Sequence, residues 1–203
     1  MDLKKILPIF SYLFHPIFVS VYGALFYFLI TQNFFYPSQI YVTLLQVTIL
    51  TLFLPLSIYF LLRSLGFVTS FTEATLKERR MPIAIQAIML MVLLKFSVSR
   101  EVTVELYYFF LGGLFSGILA LTSVLLKFKA SLHMIGITAL TAFTYGLSVY
   151  YKLPFVNLFA FCVVCMGLVA SSRLYLKAHT YIELVVGLLI GLLPQVFLFR
   201  FWL

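Results

Sequence analysis

Three polar side chains in an otherwise apolar stretch, Arg173, His179 and Glu183, have the types and spacing to do chemistry. In a helix over 178–183, His179 and Glu183 stand four residues apart and share a face. A carboxylate so placed holds one imidazole nitrogen and leaves the other free for nucleophilic attack. Arg173, about a turn and a half earlier along a helix, can clamp an anion in front of that nitrogen. This is the layout of a histidine nucleophile aimed at a phosphate.

The elements that position these groups follow from composition. The chain has 203 residues, 64% of them hydrophobic and 10% charged, and its mean hydropathy is +1.13. A soluble domain of this length could not bury so much apolar surface, so the solvent is lipid. Residues 1–203 read as a single membrane domain, with no linker, low-complexity tract or internal repeat. Met1 to Lys5 is weakly basic and lacks a small-residue cleavage site, so the first apolar run is expected to be a retained membrane segment. Roughly 20 apolar residues cross a bilayer. On that measure the candidates are 7–31, 39–62, 82–98, 104–126, 133–151, 154–171 and 180–201. The third is the shortest, with Lys95 near its end positioned to snorkel. Lipid leaves bare backbone unsatisfied, and these runs are too long and uniform for barrel strands. The expected fold is an all-α polytopic integral membrane helix bundle of six to seven transmembrane helices, with an active site at one membrane face.

That topology gathers polar residues on one side. The loops after the second, fourth and sixth helices hold Glu73, Lys77, Glu78, Arg79 and Arg80, then Ser131 and His133, then Arg173, His179 and Glu183. Two of the three histidines and three of the six acids are among them. Ionisable groups near membrane depth are costly, so their convergence points to a site. Elsewhere, His15-Pro16 reads as a kink and Ser131 as a helix N-cap. Cys162-x2-Cys165 reads as apolar filler, and Gly112, Gly113, Gly117, Gly187 and Gly191 read as close helix–helix contacts.

Ser172-Arg173-x5-His179-x3-Glu183 resembles the third signature of the type-2 phosphatidic acid phosphatase superfamily, S-R-x5-H-x3-D. Ala130-Ser131-Leu132-His133 resembles a degenerate form of the second, P-S-G-H, and Lys77-Glu78-Arg79-Arg80-Met81-Pro82 a compressed form of the first, K-x6-R-P. The three occur in the family's order, within a phosphatase-like core of about 63–203. Glutamate replaces aspartate at 183, proline and glycine are missing around Ser131, and Glu73 stands seven before Arg80 where the family has lysine.

The resemblance implies a metal-independent membrane hydrolase acting on a lipid phosphate or diphosphate, of the polyprenyl diphosphate, phosphatidic acid or phosphatidylglycerol phosphate class. In it His179 is the nucleophile, Glu183 orients it, and His133 is the general acid and base. Arg173, Arg80, Lys77 and Ser131 bind the phosphate. No cofactor or metal is expected; the partners are the lipid substrate and the bilayer, and no nucleic-acid motif is present. The implied location is a bacterial plasma membrane. Ten of the 14 Lys and Arg lie on the motif side, which the positive-inside rule assigns to the cytoplasm. Without the four that the phosphate could claim the count is six to four, so either orientation stands. The alternative function is a catalytically inactive relative, or a small transporter or lipid-binding protein using the same basic pocket.

Overall fold

A computed structural model describes residues 3–67, 75–154 and 156–203; Glu73 lies outside the described residues. The described chain is helical: α1 (Leu3–Leu13), α2 (Pro16–Thr31), α3 (Pro37–Thr48), α4 (Leu54–Ser64), α5 (Leu76–Phe96), α6 (Val104–Leu125), α7 (Leu132–Tyr150), α8 (Val156–Tyr175) and α9 (Tyr181–Phe199). A π turn, Ile49–Phe53, joins α3 to α4 without a break. Pro55 explains it: the ring has no N–H to give to residue 51 and crowds that carbonyl, so the backbone widens just before it. Six helical segments are long and apolar enough to cross a membrane, with α3 and α4 counting as one. The protein is an all-α polytopic membrane bundle. The 21-residue α5 is not among the six, yet it packs along α6.

The first apolar run differs from its expected single helix. It breaks at His15-Pro16 into α1 and α2, because a residue before proline is driven out of the helical region. His15 has an extended backbone (φ −63°, ψ 137°) and caps α2, its Nδ1 accepting the Ile17 N–H at 3.4 Å.

At the centre of the bundle is α7, buried along most of its length and packed on α2, α8 and α9. Its contact with α9 is close because Gly187 and Gly191 face it. A Cβ on Gly187 would lie 2.7 Å from the Ser131 carbonyl oxygen, and one on Gly191 would overlap the Ile135 carbonyl. At the same crossing the Ser131 N–H donates to the Glu183 carbonyl at 3.1 Å. At the opposite end, the buried Glu105 accepts hydrogen bonds from Tyr27 (3.1 Å) and Tyr151 (2.7 Å), tying α6 to α2 and to the end of α7.

Four helices stop in the same way. After α4, α6, α7 and α8 the chain turns through a left-handed residue, Gly66, Lys127, Lys152 or Lys177, with φ between 52° and 76°. At α8 the Ala178 N–H reaches back to the Arg173 carbonyl (3.0 Å) and the Lys177 N–H to that of Leu174 (2.9 Å). This is the paired bond pattern of a Schellman stop.

Gly191→Ala should loosen the α7–α9 contact and cost about 1–3 kcal/mol, because the obstructing atom is backbone and cannot swing away. Gly167→Ala in α8, where a Cβ meets nothing within 4 Å, should be neutral or mildly stabilising. Thermal unfolding of both variants in lipid nanodiscs checks the pair; equal losses would contradict the packing assignment.

Candidate active site

The starts of α2, α5, α7 and α9 and the end of α8 meet at one end of the bundle around a cavity of about 310 Å³. All three histidines of the chain line it, with Arg79 and Arg173.

His179 and Glu183 do pair, Nδ1 to Oε2 at 2.8 Å, though not through a shared helix face. Residues 178–180 are not helical. Thr180 caps α9, its Oγ1 accepting the Glu183 N–H at 3.3 Å, while Glu183 Oε2 accepts the Thr180 N–H at 3.1 Å. The carboxylate is thus drawn back over the helix start, where the residue before the cap reaches it. The Thr180-x-x-Glu183 spacing is a capping-box signature and makes this start readable in the sequence.

Because a carboxylate only accepts, the His179 Nδ1 carries the proton and Nε2 keeps its lone pair. Burial lowers the His179 pKa to about 4, and Arg79 and Arg173 push the same way against the opposing effect of Glu183. His179 is therefore a neutral imidazole near pH 7.

Arg173 lies in the last turn of α8 and is 4% exposed. Its Nε is buried and has no hydrogen-bond partner among the described residues. The neighbouring Ser172 fixes the end of α8 against α1, Oγ to the Ser11 Oγ at 2.6 Å. A buried guanidinium left without an acceptor is expensive, and an anion in the cavity would satisfy it.

His133 meets α1 as well. Its Nε2 is 3.1 Å from the Ser11 carbonyl, which can only accept, so the Nε2–H is committed there and Nδ1 remains to exchange a proton. The His15 ring stands edge-on to it, with centroids 5.1 Å apart and planes at 88°. Burial, and secondarily Arg173, lowers the His15 pKa to about 4.

The phosphate-binding residues expected from sequence divide differently in space. Arg173 lines the cavity, whereas Arg80 and Lys77 are exposed and do not. Arg79 takes the inward position: it is 9% exposed and close enough to act electrostatically on Glu183, His179 and Arg173. The capping box at Thr75 and Glu78 starts α5, and from there Arg79 shares a face with Ile83, Gln86 and Leu90, all on the cavity wall. Ser131 is the N-cap of α7 as expected, but its position as a phosphate ligand is not met. It is fully buried at the α9 crossing, with Oγ accepting the Met134 N–H at 3.5 Å, and is absent from the cavity wall. Among the described residues no group of acids, histidines and cysteines could hold a metal ion.

Of the residues at the site, His15 has no role in the sequence reading, and Arg79 stands there behind Arg80 as a phosphate-neutralising group. His15 looked like a helix interruption, and its position before proline was the signal that it is presented from a turn.

Arg79→Gln should weaken binding of inorganic phosphate about tenfold or more, as expected for losing a charge-assisted hydrogen bond. Arg80→Gln should leave it within about twofold, since an exposed charge contributes little. Isothermal titration of the protein in nanodiscs checks both; the reverse order would mean that α5 presents the other arginine.

No protein-family model, curated protein or solved structure matches the chain.

Proposed function

We propose that the protein is an integral-membrane phosphatase that hydrolyses a lipid phosphate or diphosphate through a phosphohistidine at His179. The observation that carries this reading is the pairing of two groups on one cavity. One is Arg173, whose buried Nε has no acceptor among the described residues; the other is His179 with Nδ1 held by Glu183 and Nε2 left basic. An anion answers the first, and an electrophilic phosphorus answers the second. The resemblance to type-2 phosphatidic acid phosphatases supports the same assignment on different grounds.

In the proposed reaction Nε2 of His179 attacks phosphorus in line, the bond to the leaving oxygen breaks, and the phosphoryl group passes to the imidazole. Glu183 steadies the positive charge that develops on the ring. His133 relays a proton through its Nδ1 to the leaving oxygen. It then accepts a proton from the water that attacks the phosphohistidine and releases phosphate. Arg173 and Arg79 neutralise the phosphoryl oxygens throughout. The bilayer delivers the substrate, whose head group reaches the end of the bundle while its hydrocarbon stays in lipid.

A second reading has its own support. Glu183 also serves the cap of α9, so its position has a structural reason independent of catalysis. On that reading the cavity binds a phosphate head group without turning it over.

Phosphate release from a panel of lipid phosphates by the protein in liposomes separates the two. His179→Ala should lower turnover by at least about a hundredfold, and alkaline quenching of the wild type should trap an acid-labile, alkali-stable phosphohistidine that the variant lacks. Undiminished turnover in His179→Ala would sink the mechanism, and binding without turnover in the wild type would favour the second reading.

The acid limb follows from His179. A depressed pKa means that the nucleophile stays unprotonated down to about 4 and is lost only below that. The kcat/KM profile should therefore fall with an apparent pKa near 4, not near the ordinary histidine value of 6.5. A limb near 6.5 would assign the titration to another group.

A further inference from the structure

The cavity does not end at its charged mouth. From Arg79 it follows α5 past Ile83 and Ala87 to Leu90, and on the facing helix α6 it runs past Gly117 and Gly113 to Phe110. From Arg79 to Leu90 at 1.5 Å per residue the wall is about 16 Å long, roughly half of a ~30 Å hydrocarbon core. Pro55 and Leu56 of α4 and Val19 of α2 complete a mostly apolar arm, with Gln86 the polar side chain on its α5 side. Ser116, the hydroxyl on its α6 side, is committed to the Ile190 carbonyl at 2.8 Å and offers it no polar group.

The glycines of α6 behave unlike those of α9. Gly112 is a true close contact, where a Cβ would lie 2.5 Å from the Gln195 Nε2. At Gly113 a Cβ meets a single atom, Leu90 Cδ1 at 3.7 Å, and at Gly117 a single atom, Ala87 Cβ at 3.9 Å. Both therefore leave room in the arm, and both border it. The sequence suggests close packing at these two positions; the structure gives ordinary van der Waals contact with α5, with room for a Cβ.

We propose that this arm is the subsite for one hydrocarbon chain, so that the ligand of the charged mouth is a single-chain lipid phosphate, an isoprenyl or monoacyl ester, drawn from one leaflet. The proposal rests on the reading of the mouth as a phosphate site and adds what the phosphate is attached to. Three features support it. The arm is continuous with Arg79 and Arg173, so a head group held there directs its chain inward. The arm's length matches one leaflet. Its volume, about 310 Å³ including the mouth, is at the small end of ligand cavities and suits one chain better than two.

The test measures binding, so that its result does not depend on catalysis. Protein in phosphatidylcholine nanodiscs is titrated with dodecyl phosphate, with ethyl phosphate and with a diacyl phosphatidate. Affinity is read from the concentration dependence of Tm. The wild type should bind dodecyl phosphate at least about tenfold more tightly than ethyl phosphate, and more tightly than the two-chain lipid. Gly117→Leu, which grows a side chain into the arm, should erase the dodecyl advantage and leave ethyl phosphate affinity unchanged. Gly113→Leu carries the same comparison should the first variant fold poorly. A dodecyl advantage that survives both substitutions, or a two-chain lipid bound as tightly as dodecyl phosphate, would overturn the proposal. Failure of the phosphatase reading would appear separately, as chain-dependent binding without phosphate release.

Discussion

The approach of α9 to α7 is the constraint on which the site depends. Lipid offers helices little hydrophobic reason to associate, so contact must come from backbones that can come close and from hydrogen bonds between them. Gly187 and Gly191 permit the first, and the bond from the Ser131 N–H to the Glu183 carbonyl supplies the second. These interactions lock the start of α7 to the start of α9. His133 follows one of these starts and His179 precedes the other, so their relative placement is inherited from a packing contact rather than from any interaction between the two rings.

The spacing between Arg173 and His179 has a similar origin. It is not a helical period. A Schellman stop ends α8, with the Arg173 carbonyl receiving the Ala178 N–H, and a capping box begins α9 at Thr180. Stop and start stand back to back with His179 between them. The five intervening residues are what the reversal requires, so an insertion there would rotate the imidazole away from both Glu183 and the cavity.

Much of this was legible in the sequence, and the failures have physical causes. The membrane helices could be read because each apolar run is long enough to cross a bilayer and polar residues bound it. Helical spacing predicts the pairing of His179 with Glu183, whereas the structure makes it through the Thr180-x-x-Glu183 cap. The break at His15-Pro16 follows from local sterics, but its meaning does not, because only the packing of α2 against α7 brings His15, the cap of α2, beside His133. The resemblance to the R-P pair of the first signature favours Arg80 over Arg79, since Arg80 lies nearer to Pro82. Which of two adjacent arginines faces inward depends on how α5 rolls against α6, and a single strand of sequence does not encode that roll. Ser131 was rightly placed at a helix start, yet the glycines of α9 take the space that a ligand would have needed.

The left-handed lysines have a consequence for how the bundle sits in its membrane. A glycine at such a stop would be free of the roughly 1–2 kcal/mol that an L-residue spends there. A lysine instead brings an ammonium that seeks the head-group region. At Lys127, Lys152 and Lys177 the residue that ends the helix therefore also anchors that end at the lipid surface. Lys127 and Lys177 do so at the end that holds the site, and Lys152 at the other. Helix length and helix depth are thus set by the same side chain. The cavity mouth, one turn from Lys177, is held at a fixed height relative to the head groups of the surrounding lipids.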